Sequence, residues 1–440
     1  MVSILELFQA AEDLAGGWLD SRDDADEFDR DLQRFLPLPN DDDLRPDATA
    51  FTMAKIPGKG LGLVSARDLP AGTTLFREKP IAMVRDDDDD GDEDDDEEDE
   101  DDDAAEDNRD GARLILLIAR RLKKAEASSK AESWTGALAR LHPRTPEDTS
   151  KLKPWTCSDA KLGKQVSKAL AGLSSKRARA LLPLVVRHNA LDVRTGGELF
   201  SHPMSNLQRL GGLALYAGPS LFNHSDQANV HRWHCGDVGI WRTNQDVAAG
   251  EELAISYVES DLLNDATASP LVRRQLRHFE FEGASDSSEF LTRLLDDEVE
   301  SELRTCFTGR KRLKTMKRLA PQMVLKCDCV QLGVVLAHTR TEMGQADKAA
   351  EAWAAVVKLA TKTLPSNDER LVVYRTSHAR AAFAHGDFGL ARRLLKRSAK
   401  QHDVIFGGGA ALYRHRHAPD VALDLGDSVD AAQFWKLCPQ

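Results

Sequence analysis

The sequence predicts an α+β protein in which a β-rich region is split by a helical insertion and followed by an all-α C-terminal domain. Three observations predict this class. Short β-type runs punctuated by glycine and proline occupy residues 51–84 and return over 211–258. Apolar residues at helical spacing fill 111–188, and alanine-rich helical patterns begin near residue 289.

These patterns divide the chain into successive segments. The predicted segments are an N-terminal helical segment (1–50), a first β part (51–85), a disordered acidic loop (86–110), a helical insertion (111–188), a second β part (189–260), a connecting segment (261–288) and a helical repeat domain (289–440).

One acidic tract dominates the charge of this chain. The net charge is −13, yet residues 86–107 hold 19 acidic groups in 22 positions, and the remaining 53 acidic side chains face 59 basic ones. Such a run repels itself and buries nothing, so we expect a solvated, disordered loop. An electrostatic lure for basic proteins is the alternative, because a strong local field raises encounter rates.

Composition argues against several classes of protein. No stretch reaches the roughly 18–20 apolar residues that a membrane span needs. The N-terminus lacks the positively charged region of a secretory signal, and six scattered cysteines favour a reducing compartment, so we expect a cytoplasmic or nuclear location. Direct nucleic-acid binding is not expected.

Two internal sequence repeats support this organisation. Residues 68–75 (DLPAGTTL) match 246–253 (DVAAGEEL), each with an Asp-led turn, an Ala-Gly corner and an outgoing strand, although chance similarity of two common turns remains open. In the helical part, Ala337, Gly344 and Ala349 recur 42 residues later as Ala379, Gly386 and Ala391. Small residues in helices and a glycine between them suit closely packed helix pairs, as in tetratricopeptide-like arrays.

Three short motifs lie in the β parts. They are Lys59-Gly60-Leu61-Gly62, then Asn223-His224-Ser225, then Gly250-Glu251-Glu252-Leu253 followed by Ile255-Ser256-Tyr257. Each is more often only a turn, a loop or a strand when it occurs alone. Together and in this order they resemble the signatures of a SET domain, which transfers a methyl group from S-adenosylmethionine to a lysine amine. The split β region and helical C-terminus are similar to the SET and MYND domain family.

The resemblance implies roles for individual residues. Lys59, Gly60 and Gly62 would hold S-adenosylmethionine through the backbone of their turn. Asn189, Asn223 and His224 would bind its amino-acid part and adenosine, and Phe281 would lie against the adenine. Tyr257 would orient the lysine amine at the point of methyl transfer, and Tyr216 would line the substrate channel.

Two departures from that family affect the expected metal content. The cysteine-rich MYND finger is missing, and the acidic tract stands in its place. The family's zinc-binding cysteines after the SET core are replaced by Asp226 and by Gly283-Ala284-Ser285. A partial thiolate set binds zinc poorly, so we expect no zinc. Cys327-Asp328-Cys329 with Cys306 could be a displaced remnant, but incidental cysteines are the preferred interpretation.

The sequence therefore predicts a protein-lysine N-methyltransferase that uses S-adenosylmethionine and acts on a protein with an accessible lysine, for which the acidic tract favours a basic partner. The alternative is an inactive SET-fold scaffold that binds basic proteins through the acidic loop and helical repeats. A methyltransferase of another fold fits poorly, because no strand is followed by a glycine-rich helix start.

Overall fold

The computed structural model describes residues 49–85, 103–126, 141, 157, 159–193, 212–235, 238–258, 262, 308–425 and 429–438. The predictions for 1–48 and 263–307 lie outside these residues. The described strands are β1 (Phe51–Ile56), β2 (Gly60–Ser65), β3 (Thr74–Glu78), β4 (Ala82–Arg85), β5 (Ala190–Asp192), β6 (Gly212–Leu215), β7 (Asn223–His224), β8 (Val230–Cys235), β9 (Val238–Thr243) and β10 (Glu252–Ile255).

Three small sheets mix strands from the two β parts. Their orders are β1-β2-β10-β7, β3-β9-β8 and β4-β6-β5. The strands β2 and β10 run antiparallel, with Leu63 opposite Leu253, whereas β7 runs parallel to β10, with Asn223 opposite Ala254. Every sheet needs strands from both sides of the insertion, so the two β parts form one folding unit, as the sequence predicts.

The two matching turns found in the sequence cap each other. The Asp246 carboxylate accepts a hydrogen bond from the Ala71 amide at 2.8 Å, and the Asp68 carboxylate accepts one from the Ala249 amide at 2.9 Å. Between them, Leu69 and Val247 form an isolated antiparallel bridge. The two matching segments therefore form one unit, in which each turn accepts a hydrogen bond from the other and the two β parts are joined.

The insertion is helical, as expected from its apolar spacing. Its described part comprises α1 (Asp103–Glu126), α2 (Ala160–Ala171) and α3 (Lys176–Asn189). The apolar face of α1 is buried against the β region, with Leu114 and Ile118 fully enclosed. Asp159 and Ser175 cap the N-termini of α2 and α3 by accepting backbone hydrogen bonds. Because α1 begins at Asp103, helix already occupies the end of the segment 86–110 predicted as an acidic loop.

The C-terminal region is all helical from residue 309 onward, within the part that the structure describes. Its helices are α4 (Gly309–Leu319), α5 (Lys326–Glu342), α6 (Ala346–Thr363), α7 (Glu369–Ala384), α8 (Phe388–Phe406), α9 (Gly409–Leu425) and α10 (Val429–Lys436). No described helix is long and apolar enough to cross a membrane.

The 42-residue repeat corresponds to two helix pairs, α5 with α6 and α7 with α8. The repeated glycines Gly344 and Gly386 sit in the turns between paired helices at φ 67° and 92°, a conformation that favours glycine. The repeated alanines are fully or almost fully buried, and small side chains there let the helices approach closely. The repeated sequence pattern thus corresponds to two helix pairs that have the same turn glycine and the same buried alanines.

The helical region shares a hydrophobic core with the sheet β3-β9-β8. Trp233 and Ile240 belong to the same apolar cluster as Leu395 and Phe406, and the rings of Trp233 and Phe406 are 5.4 Å apart in an edge-to-face arrangement. Arg242 of β9 donates hydrogen bonds to the carbonyls of Asp403 and Val404, both 3.2 Å away, in the last turn of α8. The two regions are therefore packed as one body.

Candidate active site

The first site element is the glycine turn that joins β1 to β2. Gly58 and Gly60 adopt φ values of 75° and 87°, which only glycine takes without strain. A Cβ atom built on Gly60 would meet nothing within 4 Å, so this backbone borders open space. The turn therefore leaves room for a ligand beside the main chain, and its predicted contact with a cofactor stays a prediction.

Gly62 meets a different requirement in the same turn. A Cβ there would lie 2.4 Å from Nδ2 of Asn223 and 2.8 Å from Cγ1 of Ile56. Such distances are well below van der Waals contact, so any side chain at this position would displace the Asn223 amide. Gly62 thus allows β2 and the Asn223 side chain to lie against one another.

Glu252 joins the two predicted cofactor-binding motifs. Its Oε1 accepts a hydrogen bond from Nδ2 of Asn223 at 2.9 Å, and its Oε2 accepts one from Nζ of Lys59 at 3.0 Å. A carboxylate can only accept here, so the Asn223 amide nitrogen must face it and Oδ1 must point away. Lys59 also donates to the His224 carbonyl at 3.1 Å. The Lys59 side chain, rather than its backbone alone, contributes to this arrangement.

His224 connects the motif on β7 to the one after β10. Its Nδ1 accepts a hydrogen bond from the Tyr257 amide at 3.0 Å, so the ring proton belongs on Nε2, which lies 3.0 Å from Oδ1 of Asp226. Burial lowers the pKa of His224, an effect that the Asp226 charge partly opposes. The neutral ring is therefore the form that fits this geometry at neutral pH.

Tyr257 stands beside His224, with the two ring centroids 5.4 Å apart. Its hydroxyl donates a hydrogen bond to the Phe222 carbonyl at 2.6 Å. Burial raises the pKa of the Tyr257 phenol, so the hydroxyl stays protonated across the physiological range. With its proton directed at a carbonyl, the phenol oxygen is oriented to accept a hydrogen bond from a ligand.

A cavity of about 100 Å³ opens next to Tyr257. Its lining residues are His188, Asn189, Ala190, Leu191, Asp192, Pro219, Ser220, Phe222, Arg232, Ser256 and Tyr257. Asn189 lies at the end of α3, where its amide nitrogen donates to the Val185 carbonyl at 2.8 Å and its backbone carbonyl accepts from the Ser220 hydroxyl at 3.2 Å. The structure thus brings Asn189 and Tyr257 to one cavity.

Most of the predicted site residues belong to two adjacent groups, and Tyr216 and Phe281 belong to neither group in the described residues. Lys59, Gly62 and Asn223 cluster around Glu252, whereas Asn189 and Tyr257 line the cavity, and His224 links the two groups. Tyr216 is fully buried, with its ring 4.8 Å from Trp241 and 5.9 Å from His234, and it is not among the described lining residues. Phe281 lies outside the described residues.

Sequence reasoning assigned no role to several residues that shape the site. Glu252 lies in the third motif, where no role is predicted for it, although an acid between two donor-bearing motifs is a usable signal. Asn229 clamps β10, since its amide nitrogen donates to the Glu252 carbonyl and its Oδ1 accepts from the Ala254 amide. No simple pattern pointed to Arg232 in the cavity.

Glu78 supports the site from the core. Its buried carboxyl accepts hydrogen bonds from the amides of Ala217, at 2.8 Å, and Gly218, at 3.2 Å. These residues precede the 3₁₀ turn Pro219–Leu221, which leads into Asn223. Burial raises the pKa of Glu78 to about 8, against the effect of the backbone hydrogen bonds. The position of the Asn223 motif therefore depends on a buried acid.

The described residues form no group of three or more histidine, cysteine or acidic side chains able to hold a metal ion. Asp226, which the resemblance places where the family has a zinc-binding cysteine, instead contacts His224. Cys327 is buried and Cys329 is partly buried within α5, while Cys306 and residues 283–285 lie outside the described part. The expected lack of zinc stays a prediction.

Comparison with known proteins supports the identity of the β region. The family model for the SET domain matches residues 60–258. A search of curated proteins found no match. Among solved structures, the crystal structure of the SET domain of LSMT bound to lysine and AdoHcy is 11% identical, and the alignment covers 92% of this chain and 94% of that one with a TM-score of 0.25. That score is too low to transfer any detail of the site. The family match spans β2 to β10 and includes Glu252 and Tyr257, and it identifies residues 60–258 as a SET domain.

Proposed function

We propose that this protein is an S-adenosylmethionine-dependent protein-lysine N-methyltransferase. The observation that carries the proposal is Tyr257, which lines a small cavity and whose hydroxyl donates its proton to the Phe222 carbonyl. Methyl transfer to an amine requires alignment of the two reactants rather than a metal or a covalent intermediate. A rigid acceptor beside a narrow cavity meets that requirement.

The residues around Glu252 fit the amino-acid part of the cofactor. Asn223 turns its Oδ1 away from Glu252, so this oxygen can accept a hydrogen bond from an α-ammonium group. The open space at Gly60 gives a bound nucleoside access to the backbone of the turn. When bound, S-adenosylmethionine supplies a methyl group on a positively charged sulfur. The residues of this protein would align the methyl group and its sulfur with the nitrogen of the amine.

The cavity residues fit the amine. Asn189 and Phe222 narrow the space next to Tyr257, which limits water and favours an unprotonated amine by desolvation. The phenol oxygen of Tyr257 accepts an N–H of that amine and so directs the nitrogen lone pair. His224 keeps the Tyr257 backbone in place through its Nδ1. Positioning and desolvation are thus the work assigned to these side chains.

Calorimetric titration with S-adenosylmethionine, beside an Asn223→Ala variant, tests the cofactor site without any guess about the substrate. Micromolar binding that is lost in Asn223→Ala supports the proposal. A folded wild-type protein that binds no cofactor contradicts it, and favours the SET-fold scaffold that binds basic proteins.

Loss of the Tyr257 hydroxyl tests the catalytic role, with transfer of labelled methyl to cell-extract proteins as the readout. Tyr257→Phe should reduce transfer at least about 100-fold, because the amine loses its acceptor, while cofactor binding persists. Tyr413→Phe is the matched control. Tyr413 is also buried and its hydroxyl bonds Thr376 at 2.6 Å, but it lies in the helical region. Equal losses of transfer in both variants would mean that only stability had changed.

A further inference from the structure

The solvent-exposed side of α8 carries a group of cations that we call the basic face. Its five members are all exposed, and they are Arg392, Arg393, Lys396, Arg397 and Lys400. At 100° and 1.5 Å per residue they occupy an arc of about 140° and a length of about 12 Å along the helix. None of the five forms a hydrogen bond or an ion pair with a described residue. The basic face is therefore a concentrated positive charge without a partner in the described part of the chain.

The acidic residues of the same segment lie beyond the two ends of the basic face. Asp387 accepts a hydrogen bond from the Leu390 amide at 2.9 Å, and Asp403 accepts one from the Gly409 amide at 2.9 Å. On the inner side, burial and the charge of Arg397 lower the pKa of the Arg375 guanidinium to about 10. The charge of the basic face thus also acts on the arginine behind it.

The protein contains a matching negative charge in its own sequence. Every residue from 86 to 102 is Asp or Glu except Gly91, and we call this stretch the acidic segment. An extended chain advances about 3.3–3.6 Å per residue, so about four carboxylates pass along the roughly 12 Å of the basic face. The two surfaces are therefore matched in charge density as well as in sign.

The connection of α8 to the β region places the basic face on the side from which the acidic segment starts. Arg242 donates hydrogen bonds to the Thr74 hydroxyl of β3 and to the Val404 carbonyl of α8. The chain continues from β3 through β4 into the acidic segment. A second helix with exposed cations, α4, has its main contacts with α5, near the other end of the helical stack. Of the two basic helices, α8 is thus the one joined to the strands that precede the acidic segment.

The acidic segment is also long. Its 17 residues connect the end of β4 at Arg85 to the start of α1 at Asp103. A chain of that length extends to about 60 Å, so its middle reaches roughly 30 Å from either end. This reach allows several carboxylates to meet α8 at the same time.

We propose that the acidic segment binds to the basic face of α8 within the same chain. Single exposed ion pairs are weak, but a covalent link gives the second partner an effective concentration in the millimolar range, so several weak pairs suffice. The bound carboxylates are then withheld from basic proteins, and the basic face is withheld from other polyanions. This inference goes beyond the proposed function and does not depend on methyl transfer.

A fluorescent peptide with the sequence of residues 86–102 tests the proposal by titration at about 50 mM salt. It is titrated with wild type and with a full-length variant in which Gly and Ser replace the acidic segment. Two further proteins add three substitutions to that variant. The first carries Arg392→Gln, Lys396→Gln and Lys400→Gln. The control carries Arg310→Gln, Lys314→Gln and Arg318→Gln, which have the same spacing on α4.

The Gly-Ser variant should bind the peptide at least about tenfold more tightly than wild type, whose own segment already occupies the basic face. The three changes on α8 should weaken binding to the Gly-Ser variant by about tenfold, whereas the three on α4 should change it less than about twofold. Raising the salt to about 0.5 M should remove most of the difference between wild type and the Gly-Ser variant, because exposed charges are then screened. Glutamine favours a helix nearly as well as lysine or arginine, so both triple variants should fold.

Other results overturn the proposal. Equal binding of the peptide by wild type and the Gly-Ser variant would mean that the basic face is unoccupied in the intact chain. Equal losses from the α8 and α4 substitutions would indicate unspecific attraction. A labelled DNA oligonucleotide that binds wild type as tightly as the Gly-Ser variant would identify an external polyanion as the occupant.

Carbodiimide coupling of carboxylates to lysines provides a second measurement if the α8 triple variant unfolds. Mass spectrometry of the coupled wild-type monomer should find Lys396 or Lys400 joined to the acidic segment. Absence of such links in the monomer overturns the proposal. Links that occur only in a dimer overturn it as well, since the occupant is then the acidic segment of a second copy.

Discussion

The backbone amide of Tyr257 donates a hydrogen bond to Nδ1 of His224, at a distance of 3.0 Å. Through this bond a side chain on β7 fixes the main chain that follows β10, its parallel neighbour. The backbone carbonyl of the same histidine accepts a hydrogen bond from Nζ of Lys59. The cluster around Glu252 and the cavity beside Tyr257 are therefore connected through one residue, His224.

The hydrogen bond predicts a specific sensitivity to acid. Burial lowers the pKa of His224 below its ordinary value of 6.5, so the unfolded chain binds the proton more readily and stability is lost as pH falls below about 6.5. His224→Asn keeps an acceptor near the Tyr257 amide but cannot titrate. We expect a fall in pH from 7.5 to 5 to lower the free energy of unfolding of wild type more than that of this variant, by up to about 1 kcal/mol. Denaturant unfolding at each pH measures this difference. Parallel curves would show that His224 does not contribute.

Removing the charge of Glu252 should impair cofactor binding. Glu252→Gln presents an amide to Lys59 and Asn223, so one of these donors loses its acceptor and Asn223 can rotate. We expect S-adenosylhomocysteine to bind about tenfold more weakly, as is typical for loss of a partly exposed charged hydrogen bond. Glu251→Gln is the control, because it removes the neighbouring charge from a carboxylate that accepts from the Ala248 amide and from Asn229, whereas Lys59 and Asn223 donate to Glu252. Equal affinities of the Glu252→Gln and Glu251→Gln proteins would contradict the bridging role.

Glu78 should make the free energy of unfolding fall as pH rises, which is opposite to the pH dependence expected from His224. Its pKa in the folded protein, about 8, lies above the ordinary 4.5, so the unfolded carboxyl ionises first and stability declines as pH rises from about 4.5 to 8. Glu78→Gln removes this titration while keeping a carbonyl acceptor for the Ala217 amide. The stability difference between wild type and variant, measured by denaturant unfolding, should shift by more than about 1 kcal/mol in favour of the variant between pH 5 and 8. A constant difference would show that Glu78 does not titrate in this range.

Arg242 should be needed for the contact between the SET domain and α8. Its guanidinium binds two carbonyls at the C-terminal end of that helix, where a cation is favourable, and also donates to the Thr74 hydroxyl at 3.1 Å. Arg242→Met should lower the free energy of unfolding by about 2 kcal/mol. Arg392→Met removes an exposed arginine from the same helix and should change stability little. Similar midpoints for the two variants in thermal unfolding would refute the capping role.

Much of this architecture could be read from the sequence, because it depends on local patterns. The split β region, the inserted helices and the glycines between paired helices follow from spacing and turn chemistry. The partners of Glu252 could not be deduced in the same way. They depend on the register of β10 against both β2 and β7, and a shift of one residue would turn the carboxylate to the other face.

The position of Arg232 in the cavity lining shows the same limit. Strand β8 reads Val-His-Arg-Trp-His-Cys, so its period of two suggests which side chains share a face but not what that face meets. Part of the cavity lining that Arg232 joins comes from α3 and β5, earlier in the chain. Such a juxtaposition is visible only once the three sheets are assembled.

The reciprocal capping of the turns at Asp68 and Asp246 has a consequence for synthesis on the ribosome. Ala71 and its acceptor Asp246 are 175 residues apart, which corresponds to roughly 10–35 s of translation. Within the described part of the chain, β3 pairs only with β9 and β4 only with β6. The strand β3 therefore emerges without its partner for most of that interval, and β4 does so until β6 is made. During this stage the nascent chain exposes unpaired strand edges, which favour aggregation.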